Sequence, residues 1–256
     1  MPDPDGGRIM REPKGEIIVG VLGQYASGKS EAAKTLVRTL GGEGQVVFIN
    51  DKELLARLAV DHILELDEAQ VTSRMEEDGT RRLDGELATV WLRRGEDLNT
   101  VDLNRLRWEM QDSVVHPWLA RMRVNLGHEI HERSAEGKPM MIEAGFGENP
   151  LSQTLSHLFA RLEEAGVGPE RVKWILVEAG FDKRAERNAK RRDKVPDDLF
   201  AEIAADGGDL DPDHQSRLEE RGMLLKRVPN EHDDIHRFRA DIIAAFEEMF
   251  GRSGSL

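Results

Sequence analysis

Cysteine is missing from all 256 residues. Its absence excludes thiol nucleophiles, thiolate-bound metals and disulfides, and accords with a reducing compartment. Long apolar runs are missing too: no stretch approaches the roughly 18 to 20 residues of a membrane span. The opening Met1-Pro2-Asp3-Pro4-Asp5-Gly6-Gly7 lacks the basic-then-apolar layout of a secretory leader. The expectation is a cytoplasmic protein with no membrane partner. Positive charge is in deficit. A formal net charge of −13 repels a phosphate backbone over most of the surface, so nucleic acid is not expected as a partner without a concentrated basic patch. A small anionic ligand needs only a local pocket. What remains is chain enough for one large α/β domain with insertions, or two small ones, to bury a core without staples.

What is present begins at residues 23–30, Gly-Gln-Tyr-Ala-Ser-Gly-Lys-Ser, a complete G-x-x-x-x-G-K-[ST] phosphate loop. An apolar run at 17–22 precedes it and a helix-forming run at 31–37 follows, so strand, loop and helix come in the required order. Gly23 and Gly28 let the backbone curl until the amides of the loop through Gln24, Tyr25, Ala26 and Ser27 point at phosphate oxygens. The positive end of the following helix, with Glu31 in its first turn, adds a fixed attraction for anions. Lys29 would reach the terminal phosphates and Ser30 would hold Mg2+, so the ligands implied are ATP or another nucleoside triphosphate and magnesium. A glycine turn before a helix is the plainer alternative, and motif and context together outweigh it.

Residues 1–14 are rich in Pro, Gly and charge and are expected to form a disordered tail, with residues 15–256 as one domain. Apolar runs predict strands at 17–22, 45–50, 140–142, 172–177 and 223–228. From 51 to about 138 the pattern turns helical, with Leu54, Leu55, Leu58 and Ala59 on one stripe and Leu103, Leu106, Met110 and Val114 on another. This predicts a long helical insertion, about 61–137, that would bind an acceptor. A last helix is expected at about 232–250. Strands alternating with helices predict an α/β, three-layer fold: a mostly five-stranded parallel sheet, helices on both faces, and ligands at the carboxyl ends of the strands. Those ends are polar: Asn50-Asp51, Glu143, Glu178 and Asn230. The tetrapeptide Glu-Ala-Gly-Phe occurs at 143–146 and again at 178–181, which in this composition reads as coincidence.

A phosphate loop alone does not separate kinases from GTPases, motors or transporters. The chain has no Asn-Lys-x-Asp for guanine and no Leu-Ser-Gly-Gly-Gln, and its length leaves little room for motor machinery. Arg184, Arg187 and Arg191 recur at helical spacing, which gathers their guanidinium groups on one face of a lid at about 183–221. Phosphoryl transfer needs such cations, because the migrating group spreads negative charge over its oxygens. A solvated basic helix is the plainer reading. Asp51, at the exit of the second strand, is a candidate general base, or a helix N-cap, or both. Glu143, ending the third strand, is a candidate carboxylate for the magnesium site, or a strand-end polar residue. His128 and His131 have the wrong spacing for a zinc motif and read as a solvated helix face. Trp91, Trp108 and Trp118 read as core before pocket. Arg81, Arg82, Arg93, Arg94, Arg105 and Arg107 would suit an anionic acceptor, or serve as surface ion pairs.

With these residues in view, the chain resembles the nucleotide-kinase-like branch of the P-loop kinases, and the dephospho-coenzyme A kinases most closely. The loop and helix at 23–40, the segment 51–58 led by Asp51, Asn104-Arg105-Leu106 followed by His116-Pro117, Arg187-x-x-x-Arg191 and Val228-Pro229-Asn230 carry the resemblance. It implies lid roles for Arg187 and Arg191 and a place beside the adenine for Asn230. The chain departs from the family in Asn50-Asp51, where an acidic pair is usual, and in residues 143–147, which replace an apolar Pro-Leu-Leu run. The leading expectation is an ATP- and Mg2+-dependent kinase acting on a hydroxyl or phosphate of an anionic small molecule. The rivals are a regulatory ATPase or switch with a protein partner, and a nucleic-acid-modifying kinase.

Overall fold

In a computed structural model of the chain, the described residues are 17–85, 89–92, 112–145, 151–191, 197, 200, 201, 210 and 212–251. The tail at 1–14, Arg93, Arg94, Arg105, Arg107, Trp108 and the Trp118 side chain lie outside them. Strand β1 (Ile18–Gly23) leads through the loop into helix α1 (Lys29–Thr39), then come β2 (Val47–Asn50) and α2 (Asp51–Glu65). Three short strands follow, β3 (Thr72–Met75), β4 (Arg81–Asp84) and β5 (Thr89–Leu92), and then α3 (Asp112–Ser134). The chain closes with β6 (Met140–Ala144), α4 (Leu151–Glu164), β7 (Lys173–Glu178), α5 (Phe181–Ala189), α6 (Pro212–Glu220), β8 (Leu224–Pro229) and α7 (Ile235–Phe250).

The five expected strands form one parallel sheet in the order β2-β6-β1-β7-β8. Alternation along each strand sends side chains to two cores. Ile18, Leu22, Ile49, Ile142, Trp174 and Leu176 pack against Met122 and Leu126 of α3 and Leu158 and Phe159 of α4. Val19, Val21, Met141, Ile175 and Val228 face Ala33 and Leu36 of α1 and Phe238 and Ile242 of α7. The fold is thus three layers, helix, sheet, helix. Burying each large apolar side chain contributes ~1.5–3 kcal/mol, so both helical layers are held firmly against strands whose carboxyl ends carry the site.

The insertion corrects one expectation. It is helical at both ends, but β3, β4 and β5 form a separate three-stranded antiparallel sheet at 72–92. Leu83, Val90 and Leu92 on one face pack on Ala56, Ala59 and Ile63 of α2, whose helical stripe they complete. The strands are only four residues long; β3 and β4 are rich in Arg and small polar residues with no apolar run, and Val90-Trp91-Leu92 of β5 is a short apolar run that fits a helix as well as a strand. The available signal was Asp78-Gly79: Gly79 takes a φ of 80° and its amide donates to Glu76 C=O at 3.0 Å, closing a hairpin. Trp91 is fully buried in this sheet, as a core residue. The backbone of α3 runs through His116-Pro117 without a break.

Candidate functional site

The loop between β1 and α1 is built from local backbone geometry. Ala26 and Gly28 take φ values of 60° and 108°, and the Ser27 amide donates to Gln24 C=O at 3.2 Å, so residues 24–28 wrap into a cradle at the start of α1. A Cβ on Gly23 would overlap Ser27 Oγ and lie 2.9 Å from Val177 C=O, and one on Gly28 would overlap Asn230 Nδ2, so both glycines are required by close approach. Ser27 and Lys29 are buried, and Ser27 Oγ has no hydrogen-bond partner among the described residues. Gln24 and Tyr25 line the same loop. Glu31 is turned to the other side of α1, where Arg239 of α7 holds its carboxylate at 2.8 Å.

The carboxyl ends of β2 and β6 converge on this cradle. Ser30 Oγ donates to Glu143 Oε1, and Asn50 Nδ2 donates to Glu143 Oε2 at 3.3 Å, so a nearly buried carboxylate is shared by the ends of β2, β6 and α1. Asp51 opens α2, and its Oδ2 accepts the Gly145 amide at 2.5 Å, which turns the carboxylate toward the end of β6. The end of the Lys29 side chain, Cδ to Nζ, lies against the α-carbon of Gly145. Lys29, Ser30, Asp51 and Glu143, separated by up to 114 positions in the chain, are thereby gathered at one end of the sheet.

The donors suit Mg2+. This ion takes few protein oxygens and keeps water and phosphate for the rest, and a serine hydroxyl backed by a carboxylate offers that. Ser30 would hold it, with Glu143 ordering its hydration. Among the described residues no group of three or more His, Cys, Asp or Glu is gathered to cage a metal, and magnesium on a triphosphate needs none.

On the opposite side, α5 braces the loop. Arg187 donates to Ser27 C=O at 3.2 Å, to Asn230 Oδ1 at 3.0 Å and to His232 C=O at 3.1 Å. Asn230 Nδ2 donates to Ser27 C=O at 2.7 Å. Arg187 therefore sits as a strut between the phosphate loop and the segment after β8. Burial pulls its guanidinium below the ordinary arginine value, opposed by Asp233, Glu231 and Glu186. Arg184, fully buried, is lowered the same way, opposed by Glu231, and donates to Ala179 C=O at 3.0 Å. Arg191 lies with its guanidinium 4.9 Å from the Tyr25 ring centroid, a cation–π contact. The Tyr25 ring also meets Phe200 edge-on at 6.0 Å. Arg187 of α5 and Arg191, just past its end, thus both touch the loop, the latter at Tyr25.

This is a P-loop fold. The loop, the helix it opens and the parallel sheet order around β1 establish it. No protein-family model and no curated protein sequence matches the chain. Among solved structures, an unliganded sugar kinase from a Janibacter species is similar at 14% identity over 93% of this chain and 96% of its own, with a TM-score of 0.49. A shikimate kinase from Acinetobacter baumannii, in complex with shikimate, is similar at 9% identity, over 91% of this chain and 94% of its own, with a TM-score of 0.48. A dephospho-CoA kinase from Campylobacter jejuni is similar at 14% identity, over 91% and 96%, with a TM-score of 0.44.

Sequence reasoning missed the contact made by Gly145 and the bracing role of Arg187. The first had a visible trace in the repeated Glu-Ala-Gly-Phe. The second had none, because its partners are carbonyl oxygens and one amide far away in the chain.

Proposed function

We propose that this chain is an ATP- and Mg2+-dependent kinase that moves the γ-phosphoryl group to a hydroxyl of a small molecule. The observation that carries the reading is the pairing, on one glycine, of a phosphate-binding amine and a carboxylate: Lys29 crosses Gly145, and Asp51 is held by the Gly145 amide. A hydroxyl acceptor needs a carboxylate at that distance from the phosphates, whereas a phosphate acceptor needs a cation there.

The loop amides and Lys29 bind and orient the triphosphate. Asp51 takes the proton from the acceptor hydroxyl as the new O–P bond forms. The bond from the γ-phosphorus to the bridging oxygen breaks, and its electron pair leaves with the diphosphate product. Bound magnesium supplies charge neutralisation to the phosphate oxygens. Arg187 keeps the loop and the base-side segment in register, and Arg191, released from Tyr25, supplies a cation to the transferring group. Asn230 would lie beside the adenine.

A thermal-shift screen tests this: nucleotides first, then metabolites in the presence of a non-hydrolysable Mg-ATP analogue, with hits carried into a transfer assay. An alcohol that melts later and becomes phosphorylated is the expected result. Slow ATP hydrolysis accelerated by a protein, with no metabolite phosphorylated, would point instead to a regulatory ATPase.

A further inference from the structure

Glu-Ala-Gly closes both β6 and β7, the two strands that flank β1, and only the first glycine is in contact with the phosphate loop's lysine. A Cβ on Gly145 would overlap the Cε and Nζ atoms of Lys29 and lie 3.1 Å from its Cδ. The backbone does not call for glycine there, since φ at 145 is outside the left-handed region. Nor would the fold resist a methyl group, because the colliding atoms are the far end of a flexible side chain. The three nearest atoms that a Cβ would meet all belong to Lys29, so among the described residues the missing side chain serves the position of Lys29. The Gly145 amide has a second task, donating to Asp51 at 2.5 Å.

We infer that Gly145 is a positioning residue, setting the distance between the amine that binds the terminal phosphates and the carboxylate that receives the acceptor. Its bare α-carbon seats Lys29 and its N–H seats Asp51, so one residue fixes both sides of the transfer. This rests on the kinase reading above and adds to it a residue without any functional group of its own. The second copy supplies the control. At Gly180 a Cβ would meet only Glu231 carboxylate atoms at 3.5–3.9 Å, ordinary contact distances.

Calorimetric titration of the full chain with Mg2+ and a non-hydrolysable ATP analogue, alongside melting temperature, tests the inference. Gly145→Ala is expected to weaken nucleotide binding about 10- to 100-fold, with a melting temperature within about 3 °C of wild type. Gly180→Ala is expected to match wild type in both. The double variant Lys29→Ala/Gly145→Ala has no collision left and should bind as Lys29→Ala does. Asp51→Ala should leave nucleotide affinity unchanged while the Gly145 amide exchanges its hydrogen faster. Wild-type binding in Gly145→Ala, additive losses in the double variant, or unchanged exchange in Asp51→Ala would each overturn the assignment. If Gly145→Ala fails to fold, a folded double variant supports the collision and an unfolded one overturns it. A wild-type chain that binds no nucleotide removes the kinase reading, and this inference with it.

Discussion

The two Glu-Ala-Gly turns sit on either side of β1, yet their carboxylates serve different ends. Glu143 is nearly buried and accepts from Ser30 and Asn50. Glu178, on the other side of β1, is taken by Arg227 of β8 in a two-pronged pair at 2.7–3.0 Å, and Arg227 also reaches Leu210 C=O at 3.5 Å. The difference comes from the neighbours. β6 lies between β1 and β2, so its carboxyl end meets the phosphate loop and Asn50-Asp51. β7 lies between β1 and β8, so its end meets an arginine and the start of α5. The same Glu-Ala-Gly run meets Lys29 and Asp51 on one side and an arginine clasp on the other.

That contrast can be broken at several points. The largest effect is expected at Lys29, for which the first turn makes room. Lys29→Ala should lower transfer by about 10³-fold or more while the chain melts as before. Asp51→Asn should lower the rate by ~10²–10³-fold at unchanged nucleotide affinity, since only proton transfer is lost. If it also weakens nucleotide binding, its role lies in the loop instead. Glu143→Gln is expected to cost ~10- to 100-fold, recovered in part by raising Mg2+. The matching change on the other side, Glu178→Ala, should retain transfer and lose about 1–3 kcal/mol of stability in urea unfolding, because it strips a half-buried Arg227 of its paired acceptor.

The smallest effect concerns α5, the helix that follows the second turn. Lys183 first, and then Lys190, hold the Glu186 carboxyl down to about 2 from an ordinary 4.5. A carboxylate depressed in the folded state adds stability that is fully present above about pH 4.5 and fades as pH falls toward 2. Because this group is exposed to screening solvent, the contribution is small. Wild type and Glu186→Gln should therefore differ slightly in melting temperature at pH 6 and converge near pH 2. A gap that widens on acidification would show that the pair does not hold the helix.

The main sheet was legible because parallel strands buried on both faces read as unbroken apolar runs, and each of the five lies within about two residues of its expected place. The loop was legible as well, since its glycines and its Lys-Ser are consecutive. The small antiparallel sheet was not. Its Arg74, Arg81 and Arg82 look like helix-surface charges until β4 places Leu83 on α2. Asp51 and Glu143 could be named from strand ends, but which partner each would meet could not. Arg187 was legible as a cation on a lid helix, while its seat across Ser27, Asn230 and His232 was not.

By itself, then, the amino-acid order determined the phosphate cradle, the strand and helix order around it, and the polar residue at each strand's exit. These follow from local conformation and apolar patterning, which act over a few residues. Only the tertiary structure decided which Glu-Ala-Gly turn faces Lys29, and that Gly145 is shared by Lys29 and Asp51. Strand order sets those neighbours, and strand order is chosen by packing the whole sheet between its two helical layers.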